Sequence, residues 1–289
     1  MMHSQMIVLA VLLACCVRAW SPSVLSTVKP WSSRWAGTLS AFVIPPLFLL
    51  MTAVSVVTMG PVCQLRWEGW LSFSLAAGFV VGAWICWGYL IWLLRRVSRS
   101  MDRYPLSQIR TPSRVTLGRI IDMDAIFSAQ VGFWSSDLVV SRGVVDALNK
   151  QQLEAVLAHE AGHAHYRDTF WFFWLGGLRR LTCWLPHTDE LWEELLLLRE
   201  MRADRWAART VDRLVLAESL ISFLSAPASM DESICAGFSL ATPCSRLAQR
   251  IDALLVEDTH EPLTDPFWEK YWLAIALALT PLLTIPFHH

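Results

Sequence analysis

A chain of 289 residues with 54% hydrophobic and only 17% charged side chains lies far from the composition of an average soluble domain. Its net charge of −1 excludes a general electrostatic attraction to nucleic acid, so no direct nucleic-acid partner is expected. The seven cysteines (Cys15, Cys16, Cys63, Cys86, Cys183, Cys235 and Cys244) form no C-x-x-C pair, which speaks against a disulfide framework and against a cysteine-built metal site.

Four apolar stretches follow in chain order, at about 6–20, 36–60, 69–94 and 271–287. A bilayer core of ~30 Å needs about 20 helical residues. The second and third stretches reach that length without a charge. The first and fourth are shorter, and the fourth contains Pro281 and Pro286. The first also reads as a signal peptide, but "MMHSQM" lacks the positive n-region of such a signal. Directly after the third stretch come Arg95, Arg96, Arg99, Arg103, Arg110, Arg114 and Arg119 against one acid, Asp102. Arginine beside a span is retained on the cytoplasmic side. The expected layout is therefore a transmembrane region over 1–94 with three spans, a cytosolic domain over 95–269 and a last span over 270–289.

Within the cytosolic domain, "AIFSAQV" and "DLVVS" predict two short strands, about 125–131 and 137–141. The segment 142–168 then reads as helical. Asn149 is placed to cap a helix with an apolar stripe of Leu153, Val156, Leu157 and Ala161. The tract 170–185 is apolar but carries Arg179 and Arg180, so a buried or membrane-grazing helix is expected rather than a fifth span. After Pro186 a long helix over 188–224 is predicted. Thr188 is its expected N-cap, and Asp189 and Glu190 fall in its first turn. Residues 225–233 read as a loop and 257–266 as a linker.

Chemistry concentrates in "AVLAHEAGHAHYRD", residues 155–168. His159 and His163 stand four apart, so on a helix both imidazoles face one point. Imidazole suits zinc, and a catalytic zinc site keeps one position open for water. Glu160 lies beside the first ligand, where it can take a proton from that water. A third ligand is needed, and "LREMRADRWAA" offers Glu200 with Asp204 one turn on, the latter suited to bracing a ligand histidine. His165 points away from the ion. Asp168 is expected to brace the end of the helix, and His187 to face solvent. Trp171, Trp174, Trp184, Trp192 and Trp206 are packing or interface groups rather than a ligand cage.

Four stretches carry a family resemblance: "LVVSRGVVDALNKQQLEAVLAHEAGHAHYRD", "LTCWLPHTDELW", "REMRADRWAA" and "AGFSLATPCSRLAQRIDALL". Over roughly 112–256 the chain resembles the membrane-embedded zinc peptidases of family M56, and more distantly family M48. The resemblance implies a mainly α membrane protein with a small β element: about four transmembrane helices and a cytosolic gluzincin-like zinc metallopeptidase domain. It implies Zn2+ held by His159, His163 and Glu200, with Glu160 as catalytic base and Asp204 behind the ligands. Arg250 matches an arginine near the active site and is taken as catalytic. Residues 126–131 become an edge strand that binds an extended substrate through Ser128, Ala129 and Gln130. The implied activity is that of a multi-pass cell-membrane zinc endopeptidase with a cytoplasmic catalytic domain. Its expected partners are membrane lipid and a protein or peptide substrate, such as a transcriptional repressor. Only two histidines follow Phe287, so the penicillin-binding sensor domain of some M56 members is not expected. Thr242-Pro243 stands where M48 members often have His-Pro, which favours M56. The rival reading is a non-catalytic membrane signalling or scaffold protein that retains the zinc-peptidase fold.

Overall fold

The computed structural model describes residues 2–21, 31–60, 67–224, 246–255, 276 and 278–287. The chain divides into two compact units, neither continuous in sequence.

The first unit takes residues 1–89, 177–195 and 262–289. α1 (Met2–Ala19) packs on α2 (Trp31–Met59), and α3 (Trp67–Met101) begins here. Ala10, Ala14 and Leu49 form a small-residue contact with Leu185. Pro45 and Pro46 lie inside α2 and remove two of its backbone donors. Two helical stretches are long and apolar enough to cross a membrane, Trp31–Met59 and Gly69–Met101. Four were expected. α1 has only 18 residues, about 27 Å of helix at 1.5 Å each, and carries Arg18 in its last turn. The fourth stretch falls partly outside the described residues. Its described end, Thr280–Phe287, is a 3-10 helix containing both prolines, and Ser55 of α2 donates its hydroxyl to the Pro281 carbonyl at 2.8 Å.

The second unit takes residues 90–176 and 196–261. It holds a four-stranded sheet of β1 (Leu106–Arg110), β2 (Val115–Ile121), β3 (Ser128–Gly132) and β4 (Ser136–Ser141), in the order β1-β2-β4-β3. β2 and β4 run parallel, while the two outer pairs are antiparallel hairpins. β3 and β4 fall close to the two expected strands. β1 and β2 were not anticipated in the arginine-rich stretch. Of their residues Ile109, Gly118 and Ile121 are buried, while Leu106, Val115 and Leu117 are exposed. β4 is buried on both faces, with Leu138 and Val140 toward one core and Val139 toward another.

The other described helices are α4 (Arg142–Ala147), α5 (Lys150–Tyr166), α6 (Asp168–Leu181), α7 (Thr188–Ala207), α8 (Arg213–Leu224) and α9 (Leu247–Leu255). Asn149 caps α5 as expected, and the helical segment before it is a separate short helix, α4, capped by Ser141. The long helix over 188–224 is two, because Asp212 accepts from the Leu214 backbone N–H at 2.7 Å and starts α8 afresh. Thr188 does not cap α7. It is the first helical residue, and its hydroxyl donates to the Leu185 and Thr182 carbonyls instead. Asp189 and Glu190 do occupy the first turn. The loop 225–233, the linker 257–266, Thr242-Pro243 and Cys63, Cys235 and Cys244 lie outside the described residues.

Candidate metal centre

The centre is built on α5. The Asn149 side chain accepts from the Gln151 and Gln152 backbone N–H groups at 3.0 and 2.9 Å. Gln152 returns the bond to the Asn149 N–H at 3.2 Å, a reciprocal cap that fixes where the helix begins. Leu153, Val156 and Leu157 then face the sheet core. The same helical phase sets His159 and His163 on the other side, one turn apart.

α7 approaches this face closely because residue 162 is glycine. A Cβ there would stand 3.1 Å from the Ala203 Cα and 3.2 Å from the Trp206 Cβ, tighter than ordinary contact. The close approach brings Glu200 to the histidines. The two Nε2 atoms are 3.1 Å apart, His159 Nε2 is 3.3 Å from Glu200 Oε2, and His163 Nε2 is 3.6 Å from Glu200 Oε1. Among the described residues this trio forms the one group of three histidine, cysteine or acidic side chains able to converge on a metal ion.

Each imidazole is oriented from behind. His163 Nδ1 lies 2.7 Å from Asp168 Oδ2. His159 Nδ1 lies 2.8 Å from Asp204 Oδ1, close in distance but off the line of a good hydrogen bond. A proton on each Nδ1 leaves both Nε2 lone pairs aimed at one region beside a carboxylate. That arrangement is repulsive unless a proton or a cation lies there. A tetrahedral zinc with Zn–N bonds of about 2.0–2.1 Å holds neighbouring nitrogens about 3.3 Å apart. The three observed separations bracket that value, so the donor set fits such an ion.

Asp168 reaches His163 because α5 ends abruptly. Arg167 adopts a left-handed conformation (φ 53°, ψ 45°), and the chain turns to start α6 at Asp168. Asp168 also pairs with Arg202 of α7. Asp204 is gripped by Arg250 of α9, whose Nε and Nη2 donate to its two oxygens, each at 2.8 Å. Arg250 Nη1 lies 3.4 Å from Glu200 Oε2, and Arg199 donates to Glu200 Oε1 at 3.0 and 2.7 Å. Glu160, Asp168, Arg199, Glu200, Asp204 and Arg250 are all buried.

These charges fix one another. Burial alone would raise the Glu200 carboxyl, but Arg199 and the histidines hold it well below the usual carboxylate range. Burial would likewise raise Asp204 and Asp168, and Arg250 and Arg202 respectively outweigh it, so both lie low. Burial would lower the two imidazoles. The Asp204 contact raises His159, and the Glu200 charge with the Asp168 bond pushes His163 up to about 10. Arg250 is raised against burial by Asp204, Glu200 and Glu160.

The structure thus brings together His159, Glu160, His163, Glu200, Asp204 and Arg250. Ser128, Ala129 and Gln130 lie on β3, an outer strand of the sheet in contact with α5. His165 is exposed and stacks on Trp206 at 3.9 Å, away from the trio. His187 is half-buried. Asp168 does more than brace a helix end, and Arg199 and Arg202 were not singled out. The available signal was the run "LLLLREMRAD", where four charges follow a leucine stretch on a helix too apolar to be solvated all round.

A family model for peptidase family M48 matches residues 119–193. The matched stretch runs from β2 into α7, takes in His159, Glu160 and His163, and stops before Glu200. Of the two resembled families it supports M48, and with it a metallopeptidase. No curated protein matches the chain.

Proposed function

We propose that the protein is an integral-membrane zinc endopeptidase that cleaves a cytosolic or juxtamembrane protein, in the manner of the M48 and M56 peptidases. The observation that carries this reading is the trio of His159, His163 and Glu200 with a carboxylate behind each imidazole. Asp204 and Asp168 hold the Nδ1 atoms, so the Nε2 atoms are presented as ligands. Arg250 and Arg199 hold Glu200 ionised and in place. They act here as positioning residues. The ion would supply a Lewis acid and a water of lowered pKa.

Glu160 is buried next to His159 on α5 and is the group available to accept that water's proton. The outer strand β3, with Ser128, Ala129 and Gln130, would pair with an extended substrate by adding a strand to the sheet. The arginine run after α3 supports a cytosolic position for residues 95–269 between transmembrane regions at 1–94 and 270–289. A transcriptional repressor is one fitting substrate.

A scaffold that merely retained the fold would have no use for Glu160. The deciding variant is Glu160→Gln in the full-length chain. Metal content should stay near that of the parent, while peptide-bond cleavage should fall by about 10²–10⁴-fold, the usual size of a general-base contribution. Unchanged cleavage, or full complementation of a deletion strain, would overturn the peptidase reading in favour of the scaffold.

A further inference from the structure

The tip of the β3–β4 hairpin and the first turns of α6 carry an aromatic surface. The Phe133 ring lies 5.0 Å from those of Phe170 and Phe173, and the Trp134 ring lies 5.3 Å from Phe170. Phe173 and Trp174 meet edge-on at 5.4 Å, and Phe170 and Trp171 at 5.1 Å. Yet Trp134, Trp171 and Trp174 are 64%, 46% and 39% exposed. A contiguous apolar patch of this kind marks a surface with a partner.

Three observations identify the partner. Gly177, one turn past Trp174 on the same helix, lies against Trp87 of α3, so close that a Cβ would stand 2.2 Å from the indole nitrogen. Cys86 Sγ also lies 3.9 Å from the Gly177 carbonyl. Both α3 residues fall in the charge-free stretch 69–94 that is long enough to cross a bilayer. Trp171 therefore stands about 9 Å of helix from a residue seated on bilayer-length apolar sequence. At the hairpin, Val131 packs in one cluster with Val97, just past the Arg95–Arg96 pair where that apolar stretch ends. Finally, the ring chemistry suits a boundary. The Arg167 guanidinium lies 4.6 Å over Trp134, and indoles with basic flanks gather at headgroup depth, where one end is apolar and the other wet.

We propose that the Phe133–Trp134 tip and the Trp171–Trp174 face of α6 are a membrane-docking surface seated in the headgroup layer. Asp168 lies one turn before Trp171, so this surface holds the histidine–carboxylate cluster at the lipid–water boundary.

The test uses the full-length chain with its seven native cysteines replaced by serine, reconstituted in nanodiscs of phosphatidylcholine and phosphatidylglycerol. Spin labels are placed singly at Trp134→Cys and Trp171→Cys, with the exposed Asp146→Cys of α4 as the aqueous reference. Collision with oxygen, which concentrates in lipid, is compared with collision with a water-soluble nickel chelate. The oxygen-to-nickel ratio at 134 and 171 should exceed that at 146 several-fold. A ratio equal to the reference would overturn the proposal by placing the rings in water. Low access to both reagents with dipolar broadening between labels would overturn it in favour of a second copy on this face. Either position serves if the other substitution fails to fold.

Discussion

The two units treat buried charge differently. In the first, buried charge among the described residues is sparse, with one close ion pair and one arginine against an aromatic ring. Arg34 of α2 donates its Nε to Glu194 of α7 at 3.0 Å, both side chains nearly without exposure. Arg18, fully buried, donates its Nη2 to the Phe42 carbonyl at 3.1 Å, and its guanidinium lies 5.1 Å over that residue's ring. In the second unit Asp168, Arg199, Glu200, Asp204 and Arg250 form a mesh in which each carboxylate meets both a histidine and an arginine. A pair fixes how two helices meet. The mesh instead aims three donor atoms at one place. Its arginines keep the carboxylates ionised, and the carboxylates set the imidazoles.

The largest effect on this contrast should come from the Arg34–Glu194 pair. Glu194→Leu strands a buried guanidinium and should cost about 3–5 kcal/mol. The double variant Arg34→Met/Glu194→Leu should recover most of that loss, since an apolar replacement of a buried pair is often neutral. Unfolding titrations in detergent read both, and a double variant as unstable as the single one would mean that the loss does not come from the stranded charge.

A smaller effect belongs to the mesh. Asp168→Asn should weaken metal affinity about 10–100-fold, or about 1.4–2.8 kcal/mol, by chelator competition. Glu194→Leu should leave that affinity near the parent value. Equal losses from the two variants would erase the distinction between pair and mesh.

A third expected effect is a pH dependence of the metal-free protein. His159 and His163 are raised in the folded state, so their stabilisation is complete below the unfolded pKa of about 6.5 and is lost as pH rises, for His163 through about 10. Asp168, Glu200 and Asp204 are lowered, so theirs is present above about 4 and lost on acidification. The melting temperature of chelator-treated protein should fall between pH 6.5 and 10, and metal should flatten that slope by replacing the proton. Parallel slopes with and without metal would dissociate the histidines from metal binding.

What the sequence disclosed follows from which interactions are local. α5 was legible because its cap, its apolar stripe and its two histidines all act within one helix. Glu200 and Asp204 were legible because they repeat at the spacing of one turn. Asp168 was seen but given too small a task. Its bond to His163 depends on the left-handed turn at Arg167, and arginine gives no sign of that backbone. Arg199 and Arg202 act through partners on the same or a distant helix, and a charge in a helix reads as solvated until burial is known. β1 and β2 were missed because a ribbon with so few buried apolar residues, Ile109 and Ile121, lacks the alternation that marks a half-buried strand. Of the four apolar stretches, the two inner ones form helices long enough to cross a membrane, and much of the fourth lies outside the described residues. α1 is short for a span at 18 residues, and the described end of the fourth stretch is a 3-10 helix with both prolines.

Arg167 has one further consequence. Its backbone holds a conformation that costs a residue with a Cβ about 1 kcal/mol, and that conformation delivers Asp168 to His163. Its side chain lies over Trp134. One residue therefore takes part in two equilibria, the setting of an imidazole and the seating of an aromatic tip. Linkage makes any such connection reciprocal. If seating the tip steadies Arg167, the donor atoms are better ordered at a membrane than away from one, and a bound ion tightens the grip on the membrane by the same factor.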